Sequence, residues 1–345
     1  MGGPYMEFGG IRVDISQFDF SDTRSRVHDV QTANIVLIAV VLTVVSLRLF
    51  ARIKFVKQIF ADDVFIVLAA VFTLALSSIC IAATRSGLGT HIWLLDLATV
   101  FETVKRCILY LFICQILYAF SIALTKIAII ASYLRFIQTR NFRILMFVTL
   151  GVTIGLWICG IFVTIFQCRP ISGAWDYNVQ NSCIPYVDYV YASSAVNVFT
   201  DVVLCVAPIP HLWRLNMPLR QRIILCILFV GGAGACVASS VRISYLHALR
   251  VLDIPFAIVP SLNLSVIECS LGIVCVSIPP LRPMFIRLVP QTFRTARSTS
   301  TKSKSRNIPL SSVSMKPRTQ ESSVEHAGMP NQENFQRLHS MEEGR

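Results

Sequence analysis

The sequence predicts an all-α polytopic membrane protein: a bundle of seven transmembrane helices, N-terminus outside and C-terminus in the cytosol. Three observations carry this reading. Seven apolar segments lie between about residues 33 and 281, and two of them, 64–83 and 144–168, contain no charged residue. About 20 such residues match the hydrocarbon thickness of a bilayer, where only a helix satisfies its own backbone. The chain of 345 residues is 54% hydrophobic and 14% charged, too apolar for an ordinary soluble domain. Its basic residues alternate from loop to loop, as the positive-inside rule requires of a chain that crosses repeatedly.

Residues 1–32 read as an extracellular segment, mixed polar and charged. They lack the charged start, apolar stretch and cleavage site of a signal peptide, so the first helix is expected to act as signal anchor. Helix 1 is predicted over 33–50, with Arg48 near its end placed to snorkel toward water. Helix 2 covers 64–83. Asp62 and Asp63 precede it, where carboxylates can accept from free N–H groups and oppose the positive end of the helix dipole. Helix 3 covers 107–133 and contains Lys126; helix 4 covers 144–168. Helix 5 covers 189–213, contains Asp201, and ends around Pro208-Ile209-Pro210. Helix 6 covers 223–246. Its run Gly231-Gly232-Ala233-Gly234-Ala235 predicts close helix packing, and Arg242 near its outer end is expected to snorkel. Helix 7 covers 256–281, contains Glu268, and ends at Pro279-Pro280. Residues 33–286 thus form the seven-helix domain. The segment 287–345 reads as a disordered, basic, Ser/Thr-rich cytosolic tail that cannot bury a core.

Orientation follows from the short loops. Those after helices 1, 3 and 5 hold Arg52, Lys54 and Lys57; Arg135, Arg140 and Arg143; and Arg214, Arg220 and Arg222. Those after helices 4 and 6 hold Arg169 and Arg250 as their basic residues, while the loop after helix 2 gives no clear sign, with Arg85, Lys105 and Arg106 set against Asp96 and Glu102. The net charge of +12 therefore reads as a topology signal and excludes nucleic acid as the expected partner.

Ionisable groups inside a membrane are costly, so each is a functional candidate. Lys126 and Asp201 lie about 12 and 15 Å from the cytosolic ends of their helices, counting a rise of about 1.5 Å per residue. Those depths allow a salt bridge. Asn197, four residues from Asp201, shares its helix face. A structural ion pair is the simpler role for this group, and a ligand or proton site the sharper one. Glu268 near the middle of helix 7 is the best single candidate for a ligand or proton contact. On the outer side Cys168 and Cys183 bracket a loop containing Trp175 and Asp176, and an oxidising compartment favours their pairing. A bridge from Cys107 to this loop is the alternative.

No metal site is expected, since no CxxC pair or Cys/His cluster occurs, and no cofactor. The chain contains no HExxH, GxSxG or P-loop, so an enzyme is not expected. Helix 7 contains no lysine for a retinal Schiff base, and Lys126 is the only intramembrane lysine.

Several blocks together resemble the fungal rhodopsin-domain family, which includes receptor-like Pth proteins and a satratoxin-cluster member. They are Asp62-Asp63, GLGTHIW at 87–93, TKIAIIASYLRF at 125–136, CRPISGAWD at 168–176, NVFTDVVLCVAPIPHLWRLNMPLRQR at 197–222 and VIECSLGIVCVSIPPLRP at 266–283. Lys126, Asn197, Asp201, Glu268, Cys168 and Cys183 all fall in these blocks. The resemblance implies a seven-helix shape and, for some relatives, a setting in secondary metabolism. The expected function is a receptor-like protein of the plasma membrane or an endomembrane that senses a small ligand. A small-metabolite transporter or efflux component is the alternative, and a membrane-embedded enzyme comes third. The expected partners are the lipid bilayer, a small-molecule ligand and a cytosolic signalling protein.

Overall fold

The structure is a computed structural model. It describes residues 5–8, 11–14, 23–95, 99–176, 179, 182–210, 219–245 and 253–288. Beyond Leu288 the expected tail lies outside these residues, as does the part of the fifth predicted segment after Pro210.

Among the described residues, seven helices of 21 residues or more run up and down: α1 (Val27–Ala51), α2 (Ala61–Thr84), α3 (Val100–Phe136), α4 (Arg140–Ile165), α5 (Tyr186–Val206), α6 (Leu219–Tyr245) and α7 (Val259–Leu288). Over the described residues all but α6 are long and apolar enough to cross a membrane. A short helical turn, Ile254–Ala257, leads into α7. The strands are minor: the hairpin β1 (Tyr5–Phe8) and β2 (Ile11–Asp14), with Tyr5 opposite Asp14, and the two-residue pair β3 (Cys168–Arg169) and β4 (Ser182–Cys183). This is an integral membrane protein of the all-α class.

Its burial pattern is that of a bundle in lipid. Large apolar side chains point outward, such as Ile35 and Val36 of α1 and Phe147, Val148 and Phe162 of α4, while Arg48, Lys126, Arg242 and Glu268 are buried. The apolar core follows α2, α3 and α7. Leu76, Cys80, Cys114 and Val266 pack at one level, and Ile66, Ala69, Ala128 and Ile273 at the next. α7 is the central element, with 61% of its apolar span buried against 17% of α4. The inward face of α4 is the stripe Phe142, Met146, Thr149 and Thr153 at helical spacing. α3 meets α7 at Gly272, where a Cβ would lie 2.6 Å from Thr125.

The GLGTHIW segment ties one end of the bundle together. Gly87 and Gly89 have φ of 84° and 92°, which glycine adopts without penalty. Gly89 accepts from the Arg26 N–H and donates to the Pro255 carbonyl. A Cβ there would lie 2.9 Å from the Val27 nitrogen. The turn after α2 thereby fixes the starts of both α1 and α7.

The opposite end is held by a buried ionic knot. Arg48, expected to snorkel, is instead fully buried: its guanidinium reaches Asp62 at 2.6 Å and Asp63 at 2.8 Å. Arg52 contacts the same two carboxylates at 3.0 and 3.1 Å. Asp63 also accepts from the Phe60 N–H at 3.1 Å, capping α2. Arg48 further donates to the Val276 carbonyl of α7. That oxygen lacks its usual helical donor because Pro280, four residues on, has no N–H. A guanidinium thus replaces the missing backbone donor, and two carboxylates neutralise it. Phe60 lies between the guanidinium groups of Arg52 and Arg135, 4.9 and 3.4 Å from its ring centre.

Candidate functional site

The intramembrane polar residues of α3, α5, α6 and α7 form one network. Lys126 Nζ lies 2.8 Å from Asp201 Oδ1 and donates to the Asn197 carbonyl, Asn197 Oδ1 and Thr200 Oγ1 at 2.9, 2.7 and 2.7 Å. Helical spacing makes this set: 197, 200 and 201 fall on one face of α5, which is turned to α3. Ser239 of α6 donates to Asp201 Oδ2 at 3.2 Å. Lys126 therefore has oxygens for all its protons, and Asp201 is held from two sides.

Asn197 joins this group to Glu268. Its amide donates to Glu268 Oε1 at 3.3 Å and to the Tyr118 hydroxyl at 3.1 Å, and Tyr118 donates to Glu268 Oε2 at 3.0 Å. Arg242 completes the set. It was expected to snorkel, yet it is 4% exposed, with Nε 3.6 Å from Glu268 Oε2 and its guanidinium 4.7 Å from the Tyr118 ring centre. Its partners explain the difference: a snorkelling arginine needs water within reach, whereas this one has a carboxylate and an aromatic face beside it. The four charges pair as Lys126 with Asp201 and Arg242 with Glu268. So the sequence candidates Lys126, Asn197, Asp201 and Glu268 stand together, and Tyr118 and Arg242 are the members that sequence reasoning missed. Charge balance was the signal for Arg242. Once Lys126 and Asp201 are paired, Glu268 needs a cation, and helix 6 has one.

A cleft of about 80 Å³ opens beside the network, between α3, α4 and α5. One wall is polar, with Lys126, Asn197, Tyr118 and Arg242; the other is α4, with Leu156 and Trp157. Both cations line it, and neither partner carboxylate does. Among the described residues the buried Trp157 indole N–H and Arg242 Nε make no hydrogen bond, Arg242 Nε having only the 3.6 Å contact with Glu268.

Above the cleft, Cys168 and Cys183 are joined by a disulfide, Cα atoms 4.1 Å apart. Cys107 is a free thiol, buried in α3. The bridged loop lies against α3 through Asp176, 2.6 Å from Lys105 Nζ, and through Trp175, whose ring centre is 5.4 Å from that of Phe112. At the same end His91 is stacked between Trp93 and Phe256, with Nδ1 2.6 Å from Asp253 Oδ2.

Known proteins share this sequence in part. The polyenoic acids biosynthesis gene cluster protein Ba17b of Metarhizium anisopliae is 27% identical over 257 residues, 71% of this chain and 70% of that protein. A SAT4 family membrane protein of Emericella nidulans is 33% identical over 132 residues, 37% of this chain and 35% of its own. Receptor GIN3 of Arthrobotrys oligospora is 27% identical over 189 residues, 53% of this chain and 45% of that receptor. The chain thus matches less than half the length of the last two. The fungal rhodopsin domain matches residues 47–287. That stretch holds both the ionic knot and the polar network, and the chain belongs to the fungal rhodopsin domain family.

Proposed function

We propose that this protein is a receptor-like membrane protein that senses a small metabolite in the cleft between α3, α4 and α5. The observation that carries the reading is the cleft's polar wall. Lys126, Asn197, Tyr118 and Arg242 both line it and belong to the network that joins α3, α5, α6 and α7. A ligand that touches these groups acts on four helices at once, which is what a sensor requires of its site. One relative is named a receptor, and others are named for the biosynthesis of polyenoic acids and of fugralins. Those names support a ligand drawn from secondary metabolism. The basic residues after α1 and around the turn between α3 and α4 suit a cytosolic signalling partner.

Purified protein in liposomes separates this from transport. A receptor gains thermal stability from its metabolite and shows no flux. Metabolite counterflow that Glu268→Gln abolishes would replace the receptor by a transporter, and turnover of the metabolite to product would refute both.

A further inference from the structure

The chemistry of the cleft names a class of ligand, and this rests on the sensor reading above. We infer that the cleft takes a lipophilic carboxylic acid, its carboxylate held by Arg242 and the Trp157 indole N–H and its carbon chain lying along α4.

Three features of the wall lead there. Among the described residues, two buried N–H groups of cleft-lining side chains make no hydrogen bond, Trp157 Nε1 and Arg242 Nε, the latter with Glu268 Oε2 at 3.6 Å, and they come from helices on different sides of the cleft. A buried donor left unpaired is costly, so the space between them favours an acceptor. Second, the two cations present themselves to the cleft while Asp201 and Glu268 stand outside its lining, which gives the wall a positive face. Third, the cations differ in availability. Lys126 has four oxygens within 2.9 Å, whereas Arg242 has Glu268 at 3.6 Å and Ser194 Oγ at 3.3 Å. The weakly held cation is a guanidinium, whose planar fork matches a carboxylate.

Charge balance fixes how the acid binds. The four intramembrane charges already cancel, so an added carboxylate would stand uncompensated in low dielectric. The acid enters neutral from the bilayer. It gives its proton to the Tyr118 hydroxyl, and Tyr118 passes its own proton to Glu268 Oε2, 3.0 Å away. The ligand carboxylate then takes over Arg242, and the neutral Glu268 keeps its hydrogen bonds to Tyr118 and Asn197. Binding thereby exchanges an ion contact between α6 and α7 for one between α6 and the ligand, a direct route from occupancy to helix movement. The volume suits a carboxyl head with a few carbons. A longer chain continues along the α4 residues that line the cleft, Thr153, Leu156 and Gly160.

The test uses the full chain in nanodiscs with radiolabelled octanoic acid, competed by octanol, methyl octanoate and octylamine. We expect saturable octanoate binding, with each competitor weaker by about tenfold or more. Trp157→Phe, which keeps the ring and removes the donor, should weaken binding by about threefold to tenfold. Arg242→Gln should weaken it further. Because Arg242→Gln could unfold the bundle, Trp157→Phe and the ¹⁵N-indole resonance of Trp157, expected to move downfield with octanoate, stand independently of it. Infrared difference spectra should show a new protonated-carboxyl band that is lost in Glu268→Gln. Equal binding of octanol, unchanged affinity in Trp157→Phe or no saturable binding overturns the inference. A missing carboxyl band overturns its proton step. Stabilisation by a neutral metabolite alone would leave the sensor reading standing without this one. Octanoate counterflow with the same selectivity would keep this one and overturn the sensor.

Discussion

Arg48 and Lys126 occupy equally buried positions, yet loss of each should read differently. Arg48 serves two carboxylates and the carbonyl freed by Pro280. In Arg48→Met the carboxylates keep Arg52, but one negative charge loses its counter-ion and the Val276 oxygen loses its donor. We expect about 3 kcal/mol of destabilisation, as for other broken buried pairs, read as a lower unfolding temperature in detergent. Unchanged stability would show that Arg52 alone suffices. Neutralising Lys126 strands Asp201 and should cost about 3–5 kcal/mol. The exchange of Lys126→Asp with Asp201→Lys restores the pair but not the three hydrogen bonds Lys126 makes to Asn197 and Thr200. It should therefore recover only part of the loss. If the double variant is no more stable than either single one, the residues are not energetic partners.

At the scale of elements, hydropathy finds the helices and misplaces their ends, for a physical reason. It registers where apolar sequence stops, whereas a helix continues as long as its backbone bonds close. α3 begins at Val100, earlier than the predicted 107, because Glu102, Lys105 and Arg106 extend it as a polar turn, and Lys105 bonds the disulfide loop. α1 begins at Val27 rather than 33 because Arg26 is anchored to Gly89. α5 stops at Val206, where Pro208 cannot donate to the preceding turn. The candidate residues were legible because an ion in an apolar helix is conspicuous. The pairing of Arg48 was not, because snorkelling and pairing leave the same mark at a helix end, and that of Arg242 was legible only through the charge left over at Glu268. The loop between α4 and α5 makes its own prediction. Peptide mapping without reduction should link Cys168 to Cys183, and Cys107, buried in α3, should react with alkylating reagents only after unfolding. Free Cys168 and Cys183 would refute the pairing. Replacing both by serine should cost about 3 kcal/mol, the order expected for a closed loop of about 15 residues.

For the whole molecule, two independent arguments predict the same orientation. The end of the bundle that carries the disulfide gathers the starts of α1, α3, α5 and α7, and a disulfide belongs to an oxidising compartment. The other end gathers Arg52, Lys54 and Lys57 after α1 and Arg135, Arg140 and Arg143 at the facing ends of α3 and α4, and basic residues flanking membrane spans are expected on the cytosolic side. Charge and redox chemistry have no physical connection, so their agreement constrains the topology more than either does alone. The ionic knot of Arg48, Arg52, Asp62 and Asp63 would then face the cytosol, with the cleft one network away. Reporter fusions after Arg143, Arg222 and Arg318 should read as cytosolic, and one after Pro185 as external. An external signal after Arg143 together with a cytosolic one after Pro185 would invert the protein. The basic loops would then lie outside, and inward signalling through them would have to be abandoned.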